Sequence, residues 1–546
     1  MPTRYTKHQL FIGRSIWACL CAYIVGSIID WQIIGQISPE WAVTTLLAIV
    51  LGALGFLAAN DQVERAIIWM GQTWRSGLAL FIVSGLGLLA LLVPYPYFQQ
   101  VVTVGADLPL SGIDKANGEA VRRGMQLAID RENQSHADSK FHYHFQLKAL
   151  DDVPDGADGA NAEVGKKNIE HLMQDQHVAA IVGPYNTDVA IKEIPVVNNK
   201  GDRIALVSPS TTAECLTGPK AVTQTRVQYD CDSGYLNGSD GKGAFFRLAA
   251  SSSKMARVYV GCLAASVPAI SGQCPDMPHR SQQLYKQPII IDDGSVFSIG
   301  LADSIAAEWK AQSATPLAYG PVSVSQDRME SDLQSTLTDI QTKGIAPDLI
   351  VFIGSYHDSS IFQGLLSQFS NLDKADVAYS TSIMNVDASQ HFLAQAVGNR
   401  SYFAVAPLIS LKDNKNPNAK DFVAAYKDAY GTDPNPYSAT GYDAATILID
   451  AIKKAQVEKT PVPNPSLLEQ LLGRTSDTAK DFRQAVVDKI RDGSNYDSAA
   501  SATGSFAFAP DSNGDARDIK SAAVSVFRWN PQDSNSETNI NGWDFQ

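Results

Sequence analysis

The stretch Ile181–Thr212, IVGPYNTDVAIKEIPVVNNKGDRIALVSPSTT, uses one device twice. An apolar run is stopped by a tight Gly or Pro turn and followed by small hydroxyl and amide side chains. Val178–Val182 runs into Gly183-Pro184, with Asn186 and Thr187 just ahead of a helix expected over Asp188–Asn198. Ile204–Val207 runs into Ser208-Pro209, followed by Ser210, Thr211 and Thr212. Short apolar runs joined through a helix are the signature of parallel strands with a crossover. Where such strands end in polar loops at helix N-termini, unpaired N–H groups and hydroxyls line the carboxyl edge of the sheet. That edge suits a small anionic or zwitterionic molecule.

The same alternation extends in both directions. Upstream, strands are expected over Val101–Ala106 and over Phe141–Leu150, the latter ending at Asp151-Asp152. Helices are expected over Asn117–Asn133, with a stripe of Val121, Met125, Leu127, Ala128 and Ile129, and over Ala162–Gln174. Between Thr212 and Gly243 the pattern breaks into Gly, Thr, Asp and Asn, an insertion rather than an element. Phe245–Leu248 resumes the sheet, and a second alternating series runs from Ala256 to Ile353, its strand-end loops including Gly354-Ser355-Tyr356-His357 and Ser380-Thr381-Ser382. A third group opens at Tyr402–Ala406, adds helices at Asn418–Tyr430, Ser438–Lys454 and Pro465–Leu472, and closes with strands near Ser505–Ala509 and Ala522–Arg528. At 546 residues the chain is too long for one core. Two α/β lobes with doubly wound parallel sheets, crossing hinge strands and a cleft between them are expected. Lobe 1 takes about 101–248 and 407–500, and lobe 2 about 249–406 and 501–530.

The first 98 residues read as a membrane anchor. Trp41–Ala59 and Gly77–Val93 are uncharged apolar runs near the roughly 20 residues that cross a hydrocarbon core, and Ser15–Ile34 is a weaker one interrupted by Asp30. No small-residue cleavage site follows the first run, so three transmembrane helices are expected. Arg4, Lys7 and Arg14 precede the first span, and Arg65 and Arg75 lie between the second and third. By the positive-inside rule these are cytoplasmic, which makes the protein a multi-pass protein of the cell membrane and places the large domain from 99 to 546 outside.

Cysteine use agrees with an oxidising compartment. Cys215, Cys231, Cys262 and Cys274 form two sequence-local pairs, and the local pairing Cys215–Cys231 with Cys262–Cys274 is preferred among the three possible. Zinc binding is the rival reading, disfavoured by wide spacings and the lack of a Cys-x-x-Cys. Cys19 and Cys21 read as small apolar residues of a span. The net charge of −13 disfavours nucleic acid as a partner.

From about Val102 to Trp529 the chain resembles the type I periplasmic binding proteins of the Leu/Ile/Val-binding branch, which serve ABC importers and share their fold with receptor ligand-binding domains. The matching stretches, in the family's order, are ADLPLSG with GEAVRRGMQLAIDREN, VAAIVGPYNTDVA, ALVSPSTTAECLT, FFRLAAS, DLIVFIGSYHD, PYSATGYDAATILIDAI and TGSFAFAPDSNGD. The resemblance implies that the loops at Tyr185-Asn186-Thr187 and Ser210-Thr211-Thr212 hold a ligand's carboxylate and ammonium, with Thr187, Ser210 and Thr212 at the contact positions. It implies Tyr356 as an aromatic cover from the other lobe, Ser111 near the ligand in the first loop, and Ser382 in the loop that normally brings an acid to the ammonium. Here no Asp or Glu follows Thr381-Ser382-Ile383-Met384 until Asp387, a departure that argues against an α-amino acid.

Each of these residues has a plainer reading. Ser and Thr after a strand are most often helix caps, Tyr356 could pack the lobe, and Leu110-Ser111-Gly112 could be only a turn. Asp443 in TGYDAAT is expected to satisfy N–H groups at its own helix start. The DSNGD string from Asp511 lacks the Gly and distal Glu of a calcium loop and reads as a hairpin turn. His136, His142, His144, His171 and His177 show no metal spacing, and no nucleophile elbow or phosphate loop is present. The chain is therefore expected to be a binding protein and not an enzyme, without cofactor or metal. Its partner is a small ligand and either an ABC permease or, in the alternative, a membrane signalling partner that reads cleft closure.

Overall fold

The computed structural model describes residues 100–135, 143–217, 236, 243–264, 285–313, 315–372, 374–384, 400–407, 417–457, 477–492, 501–503, 508–509, 517–519, 524–529, 539–540 and 543–545. The chain divides into compact units at residues 1–92 and 93–546. The three expected membrane segments lie outside the described residues, as do the expected helix at Pro465–Leu472 and most of the insertion after Thr217. Among the described residues no helix is long and apolar enough to cross a membrane.

The first sheet is built from β1 (Gln100–Leu108), β2 (Tyr143–Asp151), β3 (Val178–Val182), β4 (Ala205–Ser208) and β5 (Phe245–Arg247), all parallel and ordered β5-β4-β3-β1-β2. Its helices are α1 (Lys115–Ser135), α2 (Ala162–Gln174) and α3 (Thr187–Val197). β3 and β4 are apolar runs because both faces are covered, and every residue in them is buried. After β5 the chain moves to a second layer. There α4 (Ser252–Leu263) is followed by β6 (Pro288–Asp292), α5 (Val296–Gln312), β7 (Tyr319–Ser323), α6 (Met329–Thr342), β8 (Leu349–Ile353), α7 (Tyr356–Leu366), β9 (Asp376–Ser380) and β10 (Tyr402–Ala406). These strands run parallel in the order β10-β9-β8-β6-β7. Pro321 lies in β7, the edge strand, where a missing N–H disturbs no inner ladder.

The chain then continues through α8 (Pro417–Tyr430), α9 (Pro436–Val457) and α10 (Asp477–Asp492). α9 packs along α1 of the first lobe, and α10 packs on α9, β3 and β4. Backbones at the α1–α9 crossing are close enough that a Cβ added at Gly441 would meet the backbone of Val121, and one added at Gly124 the carbonyl of Ser438. Gly441→Ala should therefore part the two helices and destabilise the domain by about 1–3 kcal/mol, read as a lower thermal midpoint.

The ends of both sheets differ from the expectation. The sequence reading places 501–530 wholly in lobe 2. In the structure β11 (Phe508–Ala509) and β12 (Asp518–Ile519) join the first sheet beside β5, and only β13 (Ser525–Trp529) joins the second. β13 runs antiparallel to β10 and carries β15 (Trp543–Phe545) and β14 (Asn539–Ile540), so the second sheet is mixed rather than parallel throughout. Asp443 also departs from its expected role. It is buried well inside α9 and accepts from the backbone N–H groups of Ala502 (2.6 Å) and Thr503 (3.0 Å) and from the Thr503 hydroxyl (2.6 Å), tethering the segment between α10 and β11 instead of capping its own helix.

Candidate functional site

Both polar loops of the opening stretch lie side by side at the carboxyl edge of the first sheet. Ser208 Oγ donates to the Pro184 carbonyl (2.8 Å) and accepts from Thr211 N (3.1 Å) and Thr211 Oγ1 (2.8 Å). Ser210 Oγ donates to the Tyr185 carbonyl (2.6 Å). One loop is thus sewn to the other, and the hydroxyls of Ser210 and Thr211 are engaged in holding that shape. Gly183 makes the approach possible: its φ is +137°, and a Cβ there would meet the Asp107 carbonyl. Thr187, buried as the first residue of α3, makes no side-chain hydrogen bond among the described residues. Among the described residues the Thr212 hydroxyl only accepts, from Ser252 Oγ at 3.5 Å, so its own hydrogen remains available. The first-turn N–H groups of α3 are also uncapped by the Asn186 side chain.

Asn186 instead turns its amide Nδ2 to Asp114 Oδ2 (3.2 Å). Around this pair lies a polar and aromatic floor. Asn117 Nδ2 donates to Tyr185 Oη (3.0 Å), Asn435 Nδ2 donates to Asn117 Oδ1 (3.1 Å), and the Tyr185 ring meets Tyr437 edge-on at 5.0 Å. Burial raises the pKa of Asp114, partly offset by the Asn186 hydrogen bond, and pushes that of Tyr437 up to about 12. The loop before Asp114 is fixed by Leu110 N donating to Asp151 Oδ1 (2.9 Å) and Ile113 N to the Asp158 carbonyl (2.8 Å). Ser111 sits half-buried within it.

From the second lobe, helix N-termini approach. Tyr356 opens α7, half-buried, behind the cap Ser355, whose Oγ accepts from Asp358 N (3.2 Å). Asp293 joins β6 to two helix starts, accepting from Ser295 N (2.9 Å), Ser355 N (2.9 Å) and Ser298 Oγ. Thr381 Oγ1 donates to the Val405 carbonyl of β10 (3.1 Å). Asp188 of α3 accepts from Val296 N of α5 (3.3 Å), a bridge between the lobes, and burial lifts its pKa to about 6 with the Asp293 charge adding to the rise. Ser382 lies in the turn Thr381–Met384 that follows β9; Asp387 lies outside the described residues.

Residues 101–517 match the family model described as periplasmic binding protein. The chain belongs to the periplasmic binding protein family. The Leu/Ile/Val-binding protein homolog 3 of Brucella melitensis is 22% identical over 431 residues, 78% of this chain and 91% of that protein. The crystal structure of a leucine binding protein from Thermotoga maritima shares the fold with a TM-score of 0.55 at 18% identity, over 82% of this chain and 97% of that one. So does a solute binding protein from R. palustris in complex with 4-hydroxybenzoate, with a TM-score of 0.55 at 13% identity, over 82% of this chain and 95% of the other.

Within this periplasmic binding protein, the expected residues separate into two groups. Tyr185, Asn186, Thr187, Ser210, Thr211 and Thr212 gather at one sheet edge, while Tyr356 and Ser382 sit at the corresponding edge of the other sheet. Sequence reasoning missed Asp114, Asn117, Asp188, Asn435 and Tyr437. Asp114 stands in the very loop that carries Ser111, Asn117 in the first turn of α1 that follows it, and Tyr437 in the quoted PYSATGYD motif, but nothing local signals that they meet Tyr185. Of the cysteines, Cys215 and Cys262 are each disulfide-bonded; Cys231 and Cys274 lie outside the described residues.

Proposed function

We propose that the chain is an extracytoplasmic solute-binding protein, held at the membrane by its N-terminal segments, that captures a small carboxylate-bearing ligand between its lobes for an ABC-type importer. One observation carries this reading: the sewn loops at 183–187 and 208–212 leave the Thr187 hydroxyl, the Thr212 hydrogen and the first N–H groups of α3 together at one sheet edge. A helix N-terminus with hydroxyl donors favours a carboxylate. The ligands named for similar proteins, leucine and 4-hydroxybenzoate, have that group in common. Asp114, on the same lobe, is the acidic group placed to meet an ammonium, so an amino acid is within reach even though the second lobe's Thr381–Met384 turn offers no acid. The local pairing Cys215–Cys231 with Cys262–Cys274 is part of this reading. The second reading, a ligand sensor signalling to a membrane partner, is favoured by the three hydrophobic stretches of the N-terminus, more than tethering needs.

A thermal-shift screen of the full chain against amino acids, their des-amino analogues and aromatic carboxylates tests it. A true ligand at a hundredfold excess over Kd should stabilise by roughly 2.7 kcal/mol, and silence from every carboxylate would sink the proposal. With a ligand in hand, Thr212→Ala should weaken binding by about 1 kcal/mol through one lost hydrogen bond, as measured by titration calorimetry. Unchanged affinity would remove Thr212 from the site. Asp114→Asn should weaken an amino acid far more than its des-amino analogue.

A further inference from the structure

Behind the candidate site, three acidic side chains lie together in the interior of the first lobe. Asp107 ends β1, Asp152 follows β2, and Glu193 lies on α3; all three are fully buried. Glu193 is on the apolar face of its helix, in line with the buried Val189, Ala190, Ile194 and Val197. Asn168 Nδ2 donates to Asp107 Oδ1 (2.6 Å), but Asp107 Oδ2, both oxygens of Glu193 and both of Asp152 have no hydrogen-bond partner among the described residues. Gly165 opens the space between Asp107 and Glu193: a Cβ there would lie 2.9 Å from both Asp107 Oδ2 and Glu193 Oε1. Acceptors thus face acceptors with no donor between them.

Among the described residues no cation answers this arrangement. The charged groups that bear on it, Asp151 from the end of β2 and Asp114 from the loop before α1, are acidic too. The basic groups of the packed helices are engaged or exposed elsewhere: Lys192 pairs with Glu163 at 3.4 Å, Lys166 with Glu170 at 3.8 Å, and Lys167 is exposed. On β2, Lys148 pairs with Asp175 at 3.0 Å. Among the described residues no acidic group is arranged to hold a metal ion. Buried carboxylates without a counter-charge are neutralised by protons.

We propose that Asp107, Asp152 and Glu193 form a proton-binding site that seats α3, the helix whose first turn carries Thr187, and so links the ligand loops to pH. With protons aboard, Glu193 can donate to Asp107 and the three groups pack as neutral dipoles. Loss of the protons leaves like charges in a medium that screens them weakly, and α3 is the element that can move away from the β1 and β2 ends. Burial is the largest cause of the shifts in all three groups: Asp107 rises to about 6, Asp152 to about 8 and Glu193 well above the ordinary carboxyl range.

Amide hydrogen exchange on the full-length chain tests this. Corrected for intrinsic rates, protection of the α3 amides should fall by about tenfold or more between pH 6 and 9. Glu193→Gln supplies a permanent donor and should flatten that profile, whereas Asp443→Asn, a buried carboxyl on α9, should leave it unchanged. An identical pH profile in wild type and Glu193→Gln overturns the proposal. Should Glu193→Gln fail to fold, infrared spectroscopy of the wild type and Asp107→Asn decides: a protonated-carboxyl band at neutral pH that Asp107→Asn diminishes supports the site, and no difference between the two overturns it.

Discussion

Raising the pH from 4 to 8 should destabilise the α/β domain, at roughly 1.4 kcal/mol per pH unit for each buried carboxyl that must give up its proton, with Asp152 the main contributor toward the upper end. Its carboxyl is pushed from 3.8 to about 8 by burial and by the charges of Asp107, Asp151 and Asp114. A carboxyl whose folded value lies above its unfolded value binds its proton more tightly when folded. Its contribution is therefore complete below pH 4 and is lost as pH climbs toward 8. Asp107, raised to about 6, acts with the same sign over the lower part of that window. Asp175 acts oppositely: burial raises it, but hydrogen bonds and charges from His177 and Lys148 outweigh burial and hold it below the usual carboxylate range. Its stabilisation is lost only as pH falls below about 4, so the two effects do not overlap. Denaturant unfolding at pH 4.5, 6 and 8 should show falling midpoints in wild type and a flatter series in Asp152→Asn. A stability maximum near pH 8 in the wild type would contradict the assignment.

Replacing Arg483 by methionine should lower stability by about 3–5 kcal/mol. The guanidinium is buried on α10, and its Nε donates to the Val178 carbonyl (2.9 Å), one terminal nitrogen to Asp202 Oδ1 (3.0 Å) and the other to the Asp175 carbonyl (2.8 Å). One side chain thereby locks α10, contributed late in the chain, onto the start of β3 and the turns that lead into β3 and β4. Methionine fills similar volume but leaves the Val178 and Asp175 carbonyls without these donors and Asp202 without its counter-charge. Lysine restores the charge without the planar fork and should recover only part of the loss. Urea titration of the three proteins gives the order directly, and a methionine variant within about 1 kcal/mol of wild type would show that the network is dispensable.

Much of this architecture is legible along the chain. β3, β4 and β8 are continuous apolar runs because strands covered on both faces need no polar side, and each such run ends in a polar loop at a helix start. The position of the candidate site follows from that order alone. What each loop residue does is less legible. Ser210, Thr211 and Thr212 look alike in sequence, yet Thr211 is engaged with Ser208 and Ser210 with the Tyr185 carbonyl, while the hydrogen of Thr212 stays available. Asp443 reads as the cap of its own helix start but serves residues 502–503, because the backbone that needs acceptors there comes from the segment between α10 and β11, some sixty residues further along the chain.

The sequence by itself determined the succession of strands and helices and the edge at which polar loops cluster, since apolar periodicity and Gly or Pro breakers act over neighbouring residues. Only the tertiary structure decided that Asp107, Asp152 and Glu193 meet in the interior, that Asp114 and Tyr437 join the site floor, and that β11 and β12 belong to the first sheet. Those outcomes depend on contacts between residues far apart in the chain, where a carboxylate's charge state and a hydroxyl's availability are set by the partners that packing brings to it.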